Sequence, residues 1–141
     1  MSGCLMSVRR EVAREYRFDD EFFCGYVLGE DRDLGFRIAL DRPVFLAGDI
    51  TVLHDPYPGG RPDRLRMGRM LVSSTIHTAD ACGDSGAGTF VLLGYEFAGT
   101  FLLHAGWGLV KRRGSNLLYA AGIATELFSR FRKRMNAWVW G

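Results

Sequence analysis

The chain has 141 residues, 48% of them hydrophobic and 24% charged, a balance that excludes disorder over most of its length. Eighteen basic and sixteen acidic residues leave a formal charge of only +2, which gives no basis for nucleic-acid binding. Three cysteines, Cys4, Cys24 and Cys82, form no CxxC pair, and their odd number excludes a complete disulfide framework. They read as reduced thiols, and the amino terminus lacks the basic stretch and roughly 7–15-residue apolar run of a secretion signal, so a cytosolic setting is expected.

In chain order, residues 3–6 have the character of a strand end. Ser7 is placed to cap a helix over 8–16, with Val8, Val12 and Tyr16 on one stripe. Phe18-Asp19-Asp20-Glu21-Phe22-Phe23, with Gly25 and Gly29 after it, reads as an ordered loop of a kind that often carries function. A helix is expected from Glu30 to the neighbourhood of Pro43, since Leu34 and Ile38 lie four apart and Asp33 stands four before Arg37. The β-branched and apolar runs 44–47 and 50–53 have strand length, with His54 at the exit of the second. A proline- and glycine-rich loop follows, and Pro62 suits the first turn of a helix reaching about His77.

Residues 82–88 form a small-residue hinge. Beyond it, residues 89–110 are nearly all apolar and, at about 20 residues, long enough to span a bilayer, but Glu96 and His104 interrupt them. A shorter apolar stretch, 117–128, lies between Lys111, Arg112, Arg113 and the second basic cluster Arg130, Arg132, Lys133, Arg134. Because basic segments prefer the cytoplasmic side, this arrangement favours helices lying in the membrane interface or forming a re-entrant hairpin over a simple crossing, with Trp107, Trp138 and Trp140 at headgroup level. A buried soluble helix pair is the competing interpretation. The expected organisation is a domain over 1–82 and an apolar, basic helical tail over 83–141.

The densest chemistry lies in Gly29-Glu30-Asp31-Arg32-Asp33-Leu34. Three carboxylates within four positions repel one another, a setting in which one of them can serve as a general base, and a helix amino end opposes that repulsion in part. The order Ser2-Gly3-Cys4 with Arg9-Arg10, then Phe18-Asp19, then Gly29-Glu30-Asp31 with Asp33-Leu34 and Arg37, then His54, resembles the family 2 inverting glycosyltransferases over about residues 2–61. No single element is specific; the signal lies in their order and intervals.

The resemblance implies an α/β fold of GT-A type, a Rossmann-like sandwich whose carboxyl-terminal half builds the acceptor site. It implies that Asp31 deprotonates the acceptor hydroxyl and that Glu30 orients acceptor or loop. Gly3, Arg9, Arg10, Asp33 and His54 would contact substrate or diphosphate, and His54 would lie near a divalent metal, Mg or Mn. The implied partners are a nucleotide-sugar donor, a glycan or lipid-linked acceptor and the cytoplasmic face of the cell membrane, in polysaccharide or glycolipid assembly. Such enzymes begin with a nucleotide-binding half carrying a DxD metal motif. Asp31-Arg32-Asp33 has those letters but stands where the family has its base, so the chain reads as the carboxyl-terminal half, without the main metal ligands and inactive by itself.

Other readings stay open. Arg9 and Arg10 also fit a solvated face, and His54 also fits a hydrogen-bonded turn. Arg61, Arg64, Arg66 and Arg69 suit either solvent or an anionic lipid or lipid-linked diphosphate. The competing function is a non-catalytic module in which the acidic loop and basic tail serve membrane attachment or partner binding. A metal-dependent hydrolase ranks last, because no nucleophilic serine or cysteine arrangement supports it.

Overall fold

The computed structural model describes residues 6–24, 28–45, 47, 50–51, 63–83 and 86–140. Among them the chain is all-helical: α1 (Arg10–Glu15), α2 (Glu30–Asp41), α3 (Arg64–Ala81), α4 (Ala87–Val110) and α5 (Gly114–Trp140). The expected α/β sandwich of GT-A type is therefore overturned, since no described residue lies in a strand. Val44, Phe45, Ile50 and Thr51, read as strand residues, have no regular structure and lie exposed. The physical reason is that β-branched composition records a fit to a pleated, half-buried surface, and no strand among the described residues provides one. The expected strand end at residues 3–6 falls almost wholly outside the described residues.

The helices themselves start and stop for local reasons. In α1 the cap position belongs to Arg9 rather than Ser7, and the helix is only six residues long. At the start of α2, Gly29 has φ 100°, a left-handed conformation that a side chain strains, and Glu30, Asp31 and Asp33 fill the first turn, where the helix dipole favours negative charge. The helix ends at Asp41, two residues before Pro43, as the restriction on pre-proline residues requires. α3 is capped by Asp63, whose Oδ1 accepts from Arg66 N at 2.8 Å.

The main packing is α3 against α5, at a crossing of two glycines. A Cβ on Gly68 would collide with the carbonyl oxygen of Tyr119, and one on Gly122 with the carbonyl oxygen of Leu65. Around the crossing lie the fully buried Val72 and Ile123, with Met67, Phe97 and Tyr119 completing the core. α4 folds back on α5 through a turn at Lys111 and Arg112, and Gly108 admits the Leu117 side chain at close range. α2 lies against α3. The α3–α5 contact thus joins helices from either side of the compositional boundary at residues 82–83.

α4 buries Phe97 and Gly108 and half-buries Leu93 and Phe101, yet it leaves a long apolar face exposed: Phe90, Val91, Leu92, Tyr95, Leu102, Leu103, Trp107, Leu109 and Val110. No helix of the described residues is long and apolar enough to cross a membrane. The Glu96 and His104 interruptions are turned toward the bundle, where Glu96 meets Arg32 and His104 meets Tyr119.

Substituting Gly122→Ala is expected to lower stability by the roughly 1–3 kcal/mol typical of overpacking. Gly99→Ala, on α4 where no atom stands within 4 Å, is expected to raise stability by up to about 1 kcal/mol through helix propensity. Thermal unfolding followed by circular dichroism distinguishes the two. Equal effects would mean that α3 and α5 do not approach closely at residue 122.

Candidate functional site

A cavity of about 400 Å³ opens where the amino end of α2, the amino half of α3, the middle of α4 and the start of α5 converge. Its polar lining is Asp31, Arg32, Arg64, Ser74, His104 and Tyr119, and Leu28, Met67 and Leu71 supply apolar wall. The volume falls inside the range of small-molecule pockets, roughly 300–1,000 Å³.

Each of these side chains is placed by its helix. Asp31 sits on the first turn of α2 and makes no side-chain hydrogen bond or ion pair among the described residues. Its neighbour Arg32 is committed: Nη1 donates to Glu96 Oε1 at 3.3 Å, and Nη2 donates to Thr75 Oγ1, so one guanidinium ties α2 to both α3 and α4. Arg64, the first residue of α3, faces the cavity with no such partner among the described residues. His104 packs against Tyr119 with ring centroids 4.3 Å apart, and its Nδ1 is buried without a hydrogen-bond partner among the described residues. Burial pushes the Tyr119 phenol above its ordinary value, against the opposing pull of the Arg64 and Arg32 guanidinium groups, so it stays a neutral donor at physiological pH.

The residues singled out from sequence are distributed unevenly around this cavity. Asp31 lines it, and Glu30 precedes Asp31 on the exposed surface of the same turn. Asp33 is only 1% exposed, and its Oδ2 accepts from Arg37 Nε at 2.8 Å, while Oδ1 has no partner among the described residues. Arg9 and Arg10 lie exposed at the start of α1. Gly3 and His54 fall outside the described residues. His104, Tyr119 and Ser74 were not singled out as site residues, although one signal for His104 was present. Glu96 and His104 interrupt an apolar run eight residues apart, which on a helix puts both on roughly one side.

The acidic aromatic loop is fixed on the neighbouring stretch of α3. His77 Nε2 lies 2.9 Å from Asp19 Oδ2, and its ring stacks on Phe22 with centroids 3.7 Å apart, while Phe23 meets it edge-on. Asp19 Oδ1 also accepts from Phe22 N at 3.0 Å, so Asp19 serves the loop and α3 together. Among the described residues no group of three or more histidine, cysteine, aspartate or glutamate side chains is arranged to hold a metal ion. Asp33 is spent on Arg37, so the expected Mg or Mn has no fitting donor set among these residues.

Comparison with protein-family models, with curated proteins and with solved structures gives no match.

The backbone amide of Phe22, and then His77, hold the Asp19 carboxyl below its ordinary value. A depressed carboxylate contributes stability that is present above the unfolded-state value and is lost as pH falls through the folded-state value. The gap in thermal midpoint between the native chain and Asp19→Asn is thus expected to be full above about pH 4 and to close below it. Paired melts from pH 6 to pH 2.5 check this, and a gap that widened on acidification would refute it.

Proposed function

We propose that this chain carries the acceptor-side site of an inverting glycosyltransferase that uses a nucleotide-sugar donor at the cytoplasmic face of a membrane, with Asp31 as general base. The observation that carries the reading is the Asp31 carboxylate at the head of α2, which has no partner among the described residues and lines a small-molecule-sized cavity. The ordered motifs of the sequence support it. The fold does not, because the described residues are all-helical.

In the proposed step an acceptor hydroxyl lies against Asp31. Its proton passes to an Asp31 carboxylate oxygen as the acceptor oxygen bonds to the anomeric carbon, and the bond from that carbon to the diphosphate oxygen breaks on the opposite face, giving inversion. Of the three acids on the first turn of α2, Asp33 is buried against Arg37 and Glu30 faces solvent outside the cavity lining, which leaves Asp31 for the base, while an orienting role for Glu30 rests on the resemblance alone. No step is assigned to a metal, for the lack of a fitting donor set.

Asp31→Asn keeps the shape and removes the base. Transfer is expected to fall by about 10²–10⁴, with acceptor affinity retained, when the variant is assayed with a nucleotide-sugar donor in the complete enzyme. Undiminished transfer would remove Asp31 from the role.

A second reading, membrane attachment without catalysis, is favoured by the exposed face of α4. Leu102, Leu103, Trp107, Leu109 and Val110 run directly into Lys111, Arg112 and Arg113, a juxtaposition of apolar surface and positive charge suited to anionic lipid. Leu102→Ser with Leu103→Ser is expected to reduce co-sedimentation with phosphatidylglycerol vesicles several-fold while helicity is unchanged. Undiminished sedimentation would exclude this face as the contact.

A further inference from the structure

The geometry points to a phosphoryl-binding subsite in the α2–α5 cavity, built from Arg64, His104 and Tyr119, which takes a phosphate or diphosphate group on the acceptor. This rests on the transfer reading for the word acceptor, and otherwise on the cavity alone.

The cavity is bipolar. Asp31 supplies its one carboxylate, at the head of α2. Its cations behave differently from each other. The guanidinium of Arg32 is drawn toward Glu96 and Thr75, so one donor on each of its terminal nitrogens is spent inside the protein. Arg64 has no hydrogen bond or ion pair among the described residues, and all its donors remain for a ligand. It lies close enough to Tyr119 to act on the phenol electrostatically. Beside that phenol, His104 lines the same cavity, with its Nδ1 buried and without a partner among the described residues.

A guanidinium, a phenol hydroxyl and an imidazole nitrogen form a donor set for phosphoryl oxygens. A ligand that carries both a phosphoryl group and a hydroxyl finds a partner for each among the lining residues, the Arg64 guanidinium for the first and the Asp31 carboxylate for the second, whereas a dianion set against Asp31 is repelled.

The phosphoryl group has two possible sources, a lipid diphosphate or a soluble phosphorylated sugar. The outer side of α4 bears Leu102, Leu103 and Trp107, so a lipid chain leaving the cavity has an apolar surface at hand.

The test is isothermal titration of the full chain with inorganic pyrophosphate, with farnesyl diphosphate and with farnesol. Pyrophosphate is expected to bind, and Arg64→Gln to weaken it at least tenfold. Arg69→Gln, whose guanidinium reaches Thr125 on α5 instead, is expected to leave it unchanged. Asp31→Asn is expected to bind pyrophosphate as tightly as the native chain or more so, because it removes a repelling charge. Farnesyl diphosphate binding more tightly than pyrophosphate assigns the subsite to a lipid-linked group, and equal binding assigns it to a soluble one. No pyrophosphate binding, binding indifferent to Arg64→Gln, or farnesol binding as tightly as its diphosphate overturns the proposal. Because these readouts need no sugar transfer, a subsite that fails here leaves the base assignment standing. Full transfer by Asp31→Asn, in turn, leaves the subsite standing.

Discussion

Two glycines, Gly68 on α3 and Gly122 on α5, face each other at the centre of the molecule, and nearly every other contact follows from how closely they let the two backbones approach. At that distance a methyl group on either would strike backbone atoms of the other helix, which cannot swing aside as a side chain can. The approach seals Val72 and Ile123 completely and brings Met67, Phe97 and Tyr119 around them. It also fixes Tyr119, because the carbonyl that a Gly68 side chain would meet is that of Tyr119. The ring standing over the cavity is therefore positioned by the same crossing that builds the core. Few side chains among the described residues are fully buried, and the dispersion gained at this crossing is a large part of what holds their helices together.

A second layer of constraint is electrostatic. Arg32 is 20% exposed and its partner Glu96 41%, so the pair is partly shielded from solvent and ties together three helices that hydrophobic contact alone joins loosely. Glu96 is a charge on a helix made almost wholly of apolar residues, and α2 brings a guanidinium to its partly exposed carboxylate. Asp33 and Arg37 repeat the device within α2, where an almost fully buried carboxylate is matched by a guanidinium four residues on, whose Nη2 also donates to Arg17 O at 2.8 Å. These pairs restrict how α2 lies on α3, and hence the direction in which its first turn points.

What the sequence revealed and what it concealed divides by range. The start of α2 was legible because its causes are local: a glycine for the left-handed cap, acids for the first turn, and a proline to stop it. The long apolar α4 and the helix before it were legible from their composition and from turn residues at their ends. The second apolar stretch, read as 117–128, proved to be part of one helix reaching Trp140, since the basic residues after it have good helix propensity and extend the amphipathic pattern. Val44, Phe45, Ile50 and Thr51 misled because strand propensity is a statement about neighbours, and a single sequence does not name them. The same holds for the His77–Asp19 contact across 58 positions and the Arg32–Glu96 contact across 64. Arg32 stood in plain view between Asp31 and Asp33, yet nothing local indicated that its charge was destined for a helix far along the chain.

These long-range pairings bear on which acid has a chemical task. In the sequence Glu30, Asp31 and Asp33 are three similar carboxylates in a row, and a motif alone ranks them only by likeness to a family. In the folded chain they differ physically. Asp33 is buried with its charge met by Arg37, so it stabilises α2 and has little freedom to exchange a proton with a substrate. Glu30 points to solvent, where its charge is screened and no wall excludes water. Of the three, Asp31 alone combines a cavity wall, apolar neighbours and a carboxylate without a partner among the described residues. Helical periodicity accounts for the separation, since positions 30, 31 and 33 point in different directions around one helix. An insertion of one residue between Asp31 and Asp33 would turn Asp31 about 100° around the helix relative to Asp33 while leaving every residue type in the motif present. The spacing of Gly29-Glu30-Asp31 from Asp33 is thus a geometric requirement: Asp33 anchors α2 on one side so that Asp31 faces the ligand space on another.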